Sequence, residues 1–215
     1  MLNKRAVIFA NGELSHLSKA RKLIQKDDYL IAADAGASHL LKMGLIPDKV
    51  VGDFDSIPVE DLQTMETAGV GFIRYPQDKN NTDLELAIDF ALSEGYRNIL
   101  VVAALGGRLD MTLSNISLLT RKDLLDIDIL LDDGNEEVMF VVEKSILNGK
   151  PGDLVSLFPW GGSVQGVITR GLRWTLNDEC LHPSTTRSIS NEMVESTAEI
   201  SIHSGLLLCI HRRMS

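Results

Sequence analysis

The sequence predicts an α/β protein: an N-terminal three-layer domain with a mostly parallel sheet, then a smaller C-terminal all-β sandwich domain. Three observations carry that expectation. Through residue 132, short and nearly all-apolar runs alternate with longer segments of helical periodicity. Strands of that composition are buried on both faces, as in a parallel sheet covered by helices. After Asp132-Asp133-Gly134-Asn135 the helical pattern stops, and short strand-like runs separated by turn residues take over. The expected domains are residues 1–132 and 136–215.

Ala6-Val7-Ile8-Phe9-Ala10 is the first expected strand. Residues 15–25 carry Leu17, Ala20, Leu23 and Ile24 on one stripe, which predicts a helix. Tyr29-Leu30-Ile31-Ala32-Ala33 is the second strand, and residues 37–43 form a short helix stopped by Gly44. Lys49-Val50-Val51 is a very short third strand, followed by a helix over 59–67 and the strand Gly71-Phe72-Ile73-Arg74. In residues 82–93, Leu84, Ala87, Ile88 and Ala91 recur at helical spacing, and Gly95 ends the helix. A strand over 98–103, a helix over 109–119 and a strand over 127–131 complete the first domain.

Beyond residue 136 the expected strands cover 138–142, 154–158, 163–168, 194–202 and 206–210. Asn148-Gly149-Lys150-Pro151-Gly152-Asp153 and Pro159-Trp160-Gly161-Gly162 are the turns between them. About 80 residues of this kind make a small sandwich or barrel.

Composition narrows the function. The 215 residues are 44% apolar and 24% charged, as in a folded soluble chain. A formal charge of −9, from 30 acidic against 21 basic side chains, disfavours a general nucleic-acid binder, which would need a basic track. Two cysteines, Cys180 and Cys209, are too few for a disulfide scaffold or a zinc cluster. Cys209, inside Leu206-Leu207-Leu208-Cys209-Ile210, reads as a core thiol. Met1-Leu2-Asn3-Lys4-Arg5 leads into a short apolar run and then Asn11-Gly12, unlike a secretory leader. No run approaches bilayer-spanning length. The expectation is a cytoplasmic protein with no membrane and no nucleic-acid partner.

Two acidic clusters stand at expected strand–helix junctions. Asp53 and Asp55, in Gly52-Asp53-Phe54-Asp55-Ser56, are two apart, so in extended backbone both carboxylates point to one side. Gly52 permits a sharp turn or a close approach to a ligand. Such a pair suits Mg²⁺ shared with substrate phosphates; a solvated acidic turn is the other reading. Asp34, at the end of the second strand, lies where open α/β sheets hold ligands, or it caps the next helix. Asp78, Thr82 and Asp83 open the helix at 82–93 as caps and first-turn acids, or as ligand contacts. Lys79 is a phosphate contact or one half of a surface ion pair.

Gly106-Gly107-Arg108-Leu109-Asp110 follows an apolar strand. Paired glycines there expose backbone amides to a phosphate. Arg108 offers a planar fork for phosphate oxygens, and Asp110 is available to a metal or a substrate. No P-loop sequence occurs, and Asn11-Gly12-Glu13 after the first strand is no dinucleotide fingerprint. His16 and His39 fall in helical segments as surface or interface residues, and no serine occupies a nucleophile elbow. In the second domain, Trp174 stacks a flat cationic ring or packs in the core. Ser190 and Asn191 offer small polar contacts. Trp160 reads as a turn-packing aromatic, and His203, His211, Arg212 and Arg213 as the wet side or end of the last strand.

Taken in order, Asp34-Ala35-Gly36, Pro47-Asp48, Gly52-Asp53-Phe54-Asp55-Ser56, Asp78-Lys79, Thr82-Asp83, Gly106-Gly107-Arg108-Leu109-Asp110, Asn115, Gly171-Leu172-Arg173-Trp174 and Ser190-Asn191 resemble the thiamine pyrophosphokinases of bacterial type. The resemblance implies an α/β domain that binds ATP and Mg²⁺, and a β-sandwich that binds thiamine and dimerises. It implies a homodimer with composite active sites between subunits. It also implies transfer of a pyrophosphoryl group from ATP to the hydroxyethyl hydroxyl of thiamine, giving thiamine diphosphate and AMP.

At matching positions it implies Asp53, Asp55 and Asp83 as metal ligands. Asp34, Lys79, Thr82, Gly106, Gly107, Arg108 and Asn115 fall at the nucleotide, and Trp174, Ser190 and Asn191 at thiamine. Arg108 and Asp110 join the metal aspartates in the catalytic set. Charge and position point to Asp110 as the group that orients or deprotonates the thiamine hydroxyl. One departure stands out: the family often has a histidine where this chain has Met111, which neither takes up a proton at neutral pH nor donates a comparable hydrogen bond. The alternatives are another Mg²⁺-dependent nucleotide or sugar-nucleotide transferase, or a non-catalytic thiamine- or nucleotide-binding protein.

Overall fold

A computed structural model describes residues 4–214. The chain forms two compact units that divide between Gly134 and Asn135. The first holds strands β1 (Arg5–Phe9), β2 (Tyr29–Ala33), β3 (Lys49–Gly52), β4 (Gly71–Arg74), β5 (Asn98–Val102) and β6 (Asp128–Asp132). Their order is β6-β5-β1-β2-β3-β4, and every neighbouring pair is parallel. The helices are α1 (Leu17–Leu23), α2 (Gly36–Lys42), α3 (Val59–Thr67), α4 (Asp83–Ser93), α5 (Leu109–Leu118) and α6 (Lys122–Leu125).

The apolar runs behave as the period of two requires. Val7, Phe9, Leu30, Ala32, Val50, Leu100 and Val102 pack with Ala20, Ala37, Leu40 and Met65 of α1, α2 and α3. The alternate residues Ala6, Ile8, Ile31, Val51, Ile99 and Val101 are also buried. α4 packs on β1, β2 and β3, burying Leu84, Ala87, Ile88 and Ala91 outside that cluster. Thr82 is the N-cap of α4, and its hydroxyl accepts the Glu85 N–H at 3.2 Å. α6 was not expected: four residues are too few to show a period.

Sheet order sets the place of the site. From β1 the chain adds β2, β3 and β4 on one side, then returns to lay β5 and β6 on the other. The direction therefore reverses between β1 and β5. At that reversal the loops leaving two adjacent parallel strands diverge and open a crevice at the strands' C-terminal ends. Gly36 brings α2 close against the end of β1: a Cβ there would lie 2.0 Å from the Phe9 carbonyl oxygen.

The second unit holds two antiparallel sheets. One, in the order β12-β9-β14-β7, uses β7 (Glu136–Val141), β9 (Leu154–Pro159), β12 (Asn191–Glu192) and β14 (Leu207–Arg212). The other, β11-β10-β13-β8, uses β8 (Lys144–Asn148), β10 (Val164–Arg170), β11 (Glu179–Leu181) and β13 (Thr197–Ser201). Val155, Leu157, Leu207 and Cys209 of the first sheet share a core with Leu147, Val164, Val167 and Ile200 of the second.

Three short strands, β8, β11 and β12, were not expected. In β8 the buried residue is Leu147, while Ile146 is 58% exposed, so its alternation is muted. His211 corrects another expectation: it is 0% exposed. Period two puts it in phase with Leu207 and Cys209 on the core side of β14, and its Nε2 lies 3.3 Å from Asp153 Oδ2. Trp160 packs edge-on against Phe140 as a turn aromatic does, with centroids 5.5 Å apart. Cys180 and Cys209 are both free, and burial pushes the Cys209 thiol far above its usual range.

Replacing Gly36 with Ala is expected to destabilise the protein by about 1–3 kcal/mol through overpacking against the β1 backbone. A urea denaturation midpoint that stays at the wild-type value would show that α2 can move away freely.

Candidate active site

A cavity of about 620 Å³ opens at the β1–β5 reversal, within the size range of small-molecule sites. Gly12 lines it after β1, Asp34 after β2, Ser56 after β3, and Thr82 and Asp83 at the start of α4. Ala104, Gly106, Gly107 and Arg108 line it after β5, with Met111 and Asn115 from α5.

The reversal point is tightly built. The Gly12 N–H donates to the Ala103 carbonyl at 2.8 Å, and a Cβ on Gly12 would sit 2.3 Å from that oxygen. Ala103 itself is held at φ 58°, a left-handed conformation costly for a residue with a Cβ. His39 Nε2 lies 2.9 Å from the Gly12 carbonyl oxygen, so that nitrogen carries the proton and donates. Burial lowers the His39 pKa, outweighing the bond to Gly12 that raises it. The helical pattern put His39 at a surface or an interface; the structure makes it a support for the cavity wall.

The acidic residues gather at the ends of β2 and β3. Gly52 has φ 153°, and a Cβ on it would lie 3.0 Å from Asp34 Cβ and 3.2 Å from Asp83 Oδ1. A glycine is what lets those carboxylate-bearing residues approach each other. Asp34 stands at φ 47°, is 5% exposed, and accepts the Phe54 N–H at 3.0 Å. The N-cap of α2 is Ala35, and it makes no side-chain cap bond. Burial pushes the Asp34 carboxyl above its usual range, and the charges of Asp83 and Asp53 add to that. Asp53 shifts the other way, chiefly because it accepts the Asp55 N–H at 3.1 Å, with Lys79 contributing.

Lys79 pairs inside this cluster, 2.6 Å from Asp83 Oδ1 and 3.6 Å from Asp53 Oδ2. Burial alone would lower its pKa, but Asp83 and Asp53 raise it. The ammonium shows that these carboxylates accommodate a cation. Asp34, Asp53 and Asp55 offer oxygens that all lie within 4.8 Å of one another. Hard oxygen donors so spaced fit Mg²⁺, which takes one or two carboxylates and keeps its other positions for water and phosphate. The structure thus adds Asp34 to the pair read from sequence, and places Asp83 beside it under the Lys79 ammonium.

The glycine pair is required by geometry: Gly106 has φ 89° and Gly107 φ 76°. Arg108 and Asp110 form an exposed fork, with contacts of 3.1 and 2.5 Å, and Asp110 is not among the cavity-lining residues. The Arg108 guanidinium holds the Asp110 carboxyl below the usual carboxylate range. Asn115 is buried and donates to the Ala104 carbonyl at 2.9 Å, fixing the loop before the glycine pair. Asp78 is exposed.

The second unit has its own cavity of about 580 Å³, lined by Arg173, Trp174, Thr175, Leu176, Arg187, Ile189, Ser190 and Asn191. Trp174 is 58% exposed, which removes the core-packing reading. Asn191 clamps its backbone, accepting the Trp174 N–H at 3.0 Å and donating to its carbonyl at 2.7 Å. The Arg173 guanidinium sits 5.2 Å over the indole and 3.0 Å from Glu192. Ser190 takes φ 56°, and its N–H donates to Ser156 Oγ at 2.9 Å.

Residues 20–131 match the family model described as thiamin pyrophosphokinase, catalytic domain, and residues 143–207 match thiamin pyrophosphokinase, vitamin B1 binding domain. The chain belongs to the thiamine pyrophosphokinase family. It is 33% identical to the thiamine pyrophosphokinase of Bacillus subtilis over 182 residues, 84% of this chain and 85% of that one. It is 30% identical to thiamine pyrophosphokinase 1 of Oryza sativa over 80% of this chain and 69% of that one. The crystal structure of the Bacillus subtilis thiamine pyrophosphokinase superposes with a TM-score of 0.88 over 99% of this chain and 100% of that one, at 27% identity. The family's two named domains therefore correspond to the unit with the acidic cavity and the unit with the Trp174 cavity.

Asp34 binds its proton more tightly in the folded chain than in the unfolded one, because its folded pKa is raised. Its contribution to stability is present at low pH and is lost as pH rises from 3.8 through the raised value. Asp34→Asn is therefore expected to melt higher than wild type at neutral pH without metal. A gain of ~1 kcal/mol corresponds to about 2–4 °C at this chain length. Thermal melts across pH check it: the gap should narrow as pH falls toward 3.8.

Proposed function

We propose that this protein transfers the pyrophosphoryl group of ATP to the hydroxyethyl hydroxyl of thiamine, yielding thiamine diphosphate and AMP. The observation that carries the reading is the cavity at the β1–β5 reversal, where a buried aspartate, a helix-start aspartate and a left-handed glycine pair line one space. Family membership supports it throughout.

Each residue has a role in that reaction. Backbone amides at Gly106 and Gly107 and the Arg108 guanidinium receive phosphate oxygens. Thr82 and Asn115 shape the nucleotide end of the cavity, and Lys79 brings a positive charge to the carboxylates beside the phosphates. Asp53, Asp55 and Asp83, with Asp34 beside them, would hold Mg²⁺. When bound, that ion neutralises charge on the transferring phosphoryl oxygens. Asp110 orients the thiamine hydroxyl and accepts its proton as the new O–P bond forms at the β-phosphorus. The bond from that phosphorus to the bridging oxygen breaks, and AMP leaves with the oxygen. Pairing with Arg108 keeps Asp110 ionised but weakens it as a base, and transfer of that guanidinium to phosphate oxygens would restore its basicity.

Trp174 presents an aromatic face for the cationic thiazolium, and the guanidinium already over it supports that use. Ser190 and Asn191 supply the small polar contacts. The reading extends to a homodimer with composite sites, and exposed Ile146 and Val194 are apolar surface that a second subunit would cover. It also includes a cytoplasmic location, which suits the free thiols of Cys180 and Cys209. Among the described residues no helix is long and apolar enough to cross a membrane.

Incubation with ATP, Mg²⁺ and thiamine, followed by ion-pair chromatography, should yield AMP and thiamine diphosphate in equal amounts. No AMP beyond a thiamine-free control would reject the activity. Asp110→Asn should lower kcat roughly a hundredfold or more while KM for thiamine changes little. An unchanged kcat would remove Asp110 from proton transfer.

A further inference from the structure

Phe54 is the strained residue of the acidic loop. It stands at φ 70°, a region that a bulky residue with a Cβ rarely adopts. Such strain persists only where the surroundings hold it, and it concentrates at functional positions. Asp53 and Asp55 flank it, so the Phe54 torsions set how their two carboxylates lie relative to each other. The ring is buried and packs edge-on against Phe72, with centroids 5.4 Å apart and planes at 73°.

Arg74 closes the arrangement from the end of β4. Its guanidinium carbon lies 4.5 Å from the Phe54 ring centroid. Its NH1 donates to the Asp53 carbonyl at 2.7 Å. Its backbone is fixed beside the loop, because Gly52 pairs with Arg74 in the β3–β4 ladder and the Tyr75 N–H donates to the Gly52 carbonyl at 2.9 Å. One side chain thus covers the strained ring and ties down the peptide before it. A guanidinium does both at once because it is flat and carries its donors at its edge; an ammonium cannot.

We propose that Arg74 is a positioning residue for cation binding: it holds the Asp53 carbonyl and the Phe54 ring so that Asp53 and Asp55 present their carboxylates together. It acts through the main chain of the loop, not through the cation. The role rests on the reading of this loop as the metal site.

Mn²⁺ titration followed by electron paramagnetic resonance, on the whole protein without nucleotide, separates the two ideas. Wild type should bind Mn²⁺, and R74A should bind it roughly tenfold more weakly, the usual cost of losing a support behind a ligand. R74K, which restores the donor without the flat stack, should fall between them. The Mg²⁺ concentration for half-maximal activity should rise in the same order while KM for thiamine holds. R74A or R74K that folds and binds Mn²⁺ as wild type does overturns the role of Arg74 alone. Wild type that takes up no Mn²⁺ overturns the metal reading and the role with it. If R74A does not fold, R74K decides.

Discussion

Crowding of like charge is the constraint on which the first unit depends. Asp34, Asp53, Asp55 and Asp83 come together where β2, β3 and the start of α4 meet, and carboxylates so close repel one another. The surrounding chain offsets that repulsion by several means at once. Backbone N–H groups of Phe54 and Asp55 donate into the cluster. The Lys79 ammonium bridges Asp53 and Asp83. Left-handed backbone at Asp34 and Phe54, and a glycine at position 52, allow the approach in the first place. The cluster is poised rather than relaxed, and a divalent cation would offset most of the negative charge that Lys79 leaves.

Sheet order supplies the other half of the site. The reversal between β1 and β5 puts a loop rich in backbone donors opposite those carboxylates without any P-loop or dinucleotide fingerprint. The close contact of Gly12 with Ala103 locks the two diverging loops, and His39 braces the same glycine through its carbonyl from α2. An anion held at Gly106 and Gly107 would thus share its cavity with Asp34 and Asp83, while Asp53 and Asp55 stand outside that lining.

Much of this was legible in the sequence, and its limits follow physical distance along the chain. The parallel strands announced themselves because both of their faces are buried. Asp53, Asp55, Thr82, Asp83 and the glycine pair stood out because junction residues carry their geometry locally. Gly12, His39 and Arg74 did not, because what matters in each is a partner from a different strand or loop. His211 looks by polarity like a wet strand end, although period two puts it in phase with the buried Leu207 and Cys209. Strand β8 stayed hidden because a single inward leucine gives no alternation to detect. Asp34 reads locally as a cap or a ligand, and only the fold shows its carboxylate turned to Phe54.

The guanidinium over Trp174 has a consequence for recognition. The indole face is not vacant in the free chain, since Arg173 rests on it while tethered to Glu192. A stacking cation meets an internal competitor, and its apparent affinity scales with the fraction of molecules in which Arg173 has swung aside. Glu192 pairs with Arg173, so under that reading a residue that touches no ligand would act as a dial on affinity. A neutral ring of the same shape gains less from the face once opened, because displacing a charge is repaid best by another charge. If a cation stacks on Trp174 as proposed, the second unit would take it up by exchange for the Arg173 guanidinium.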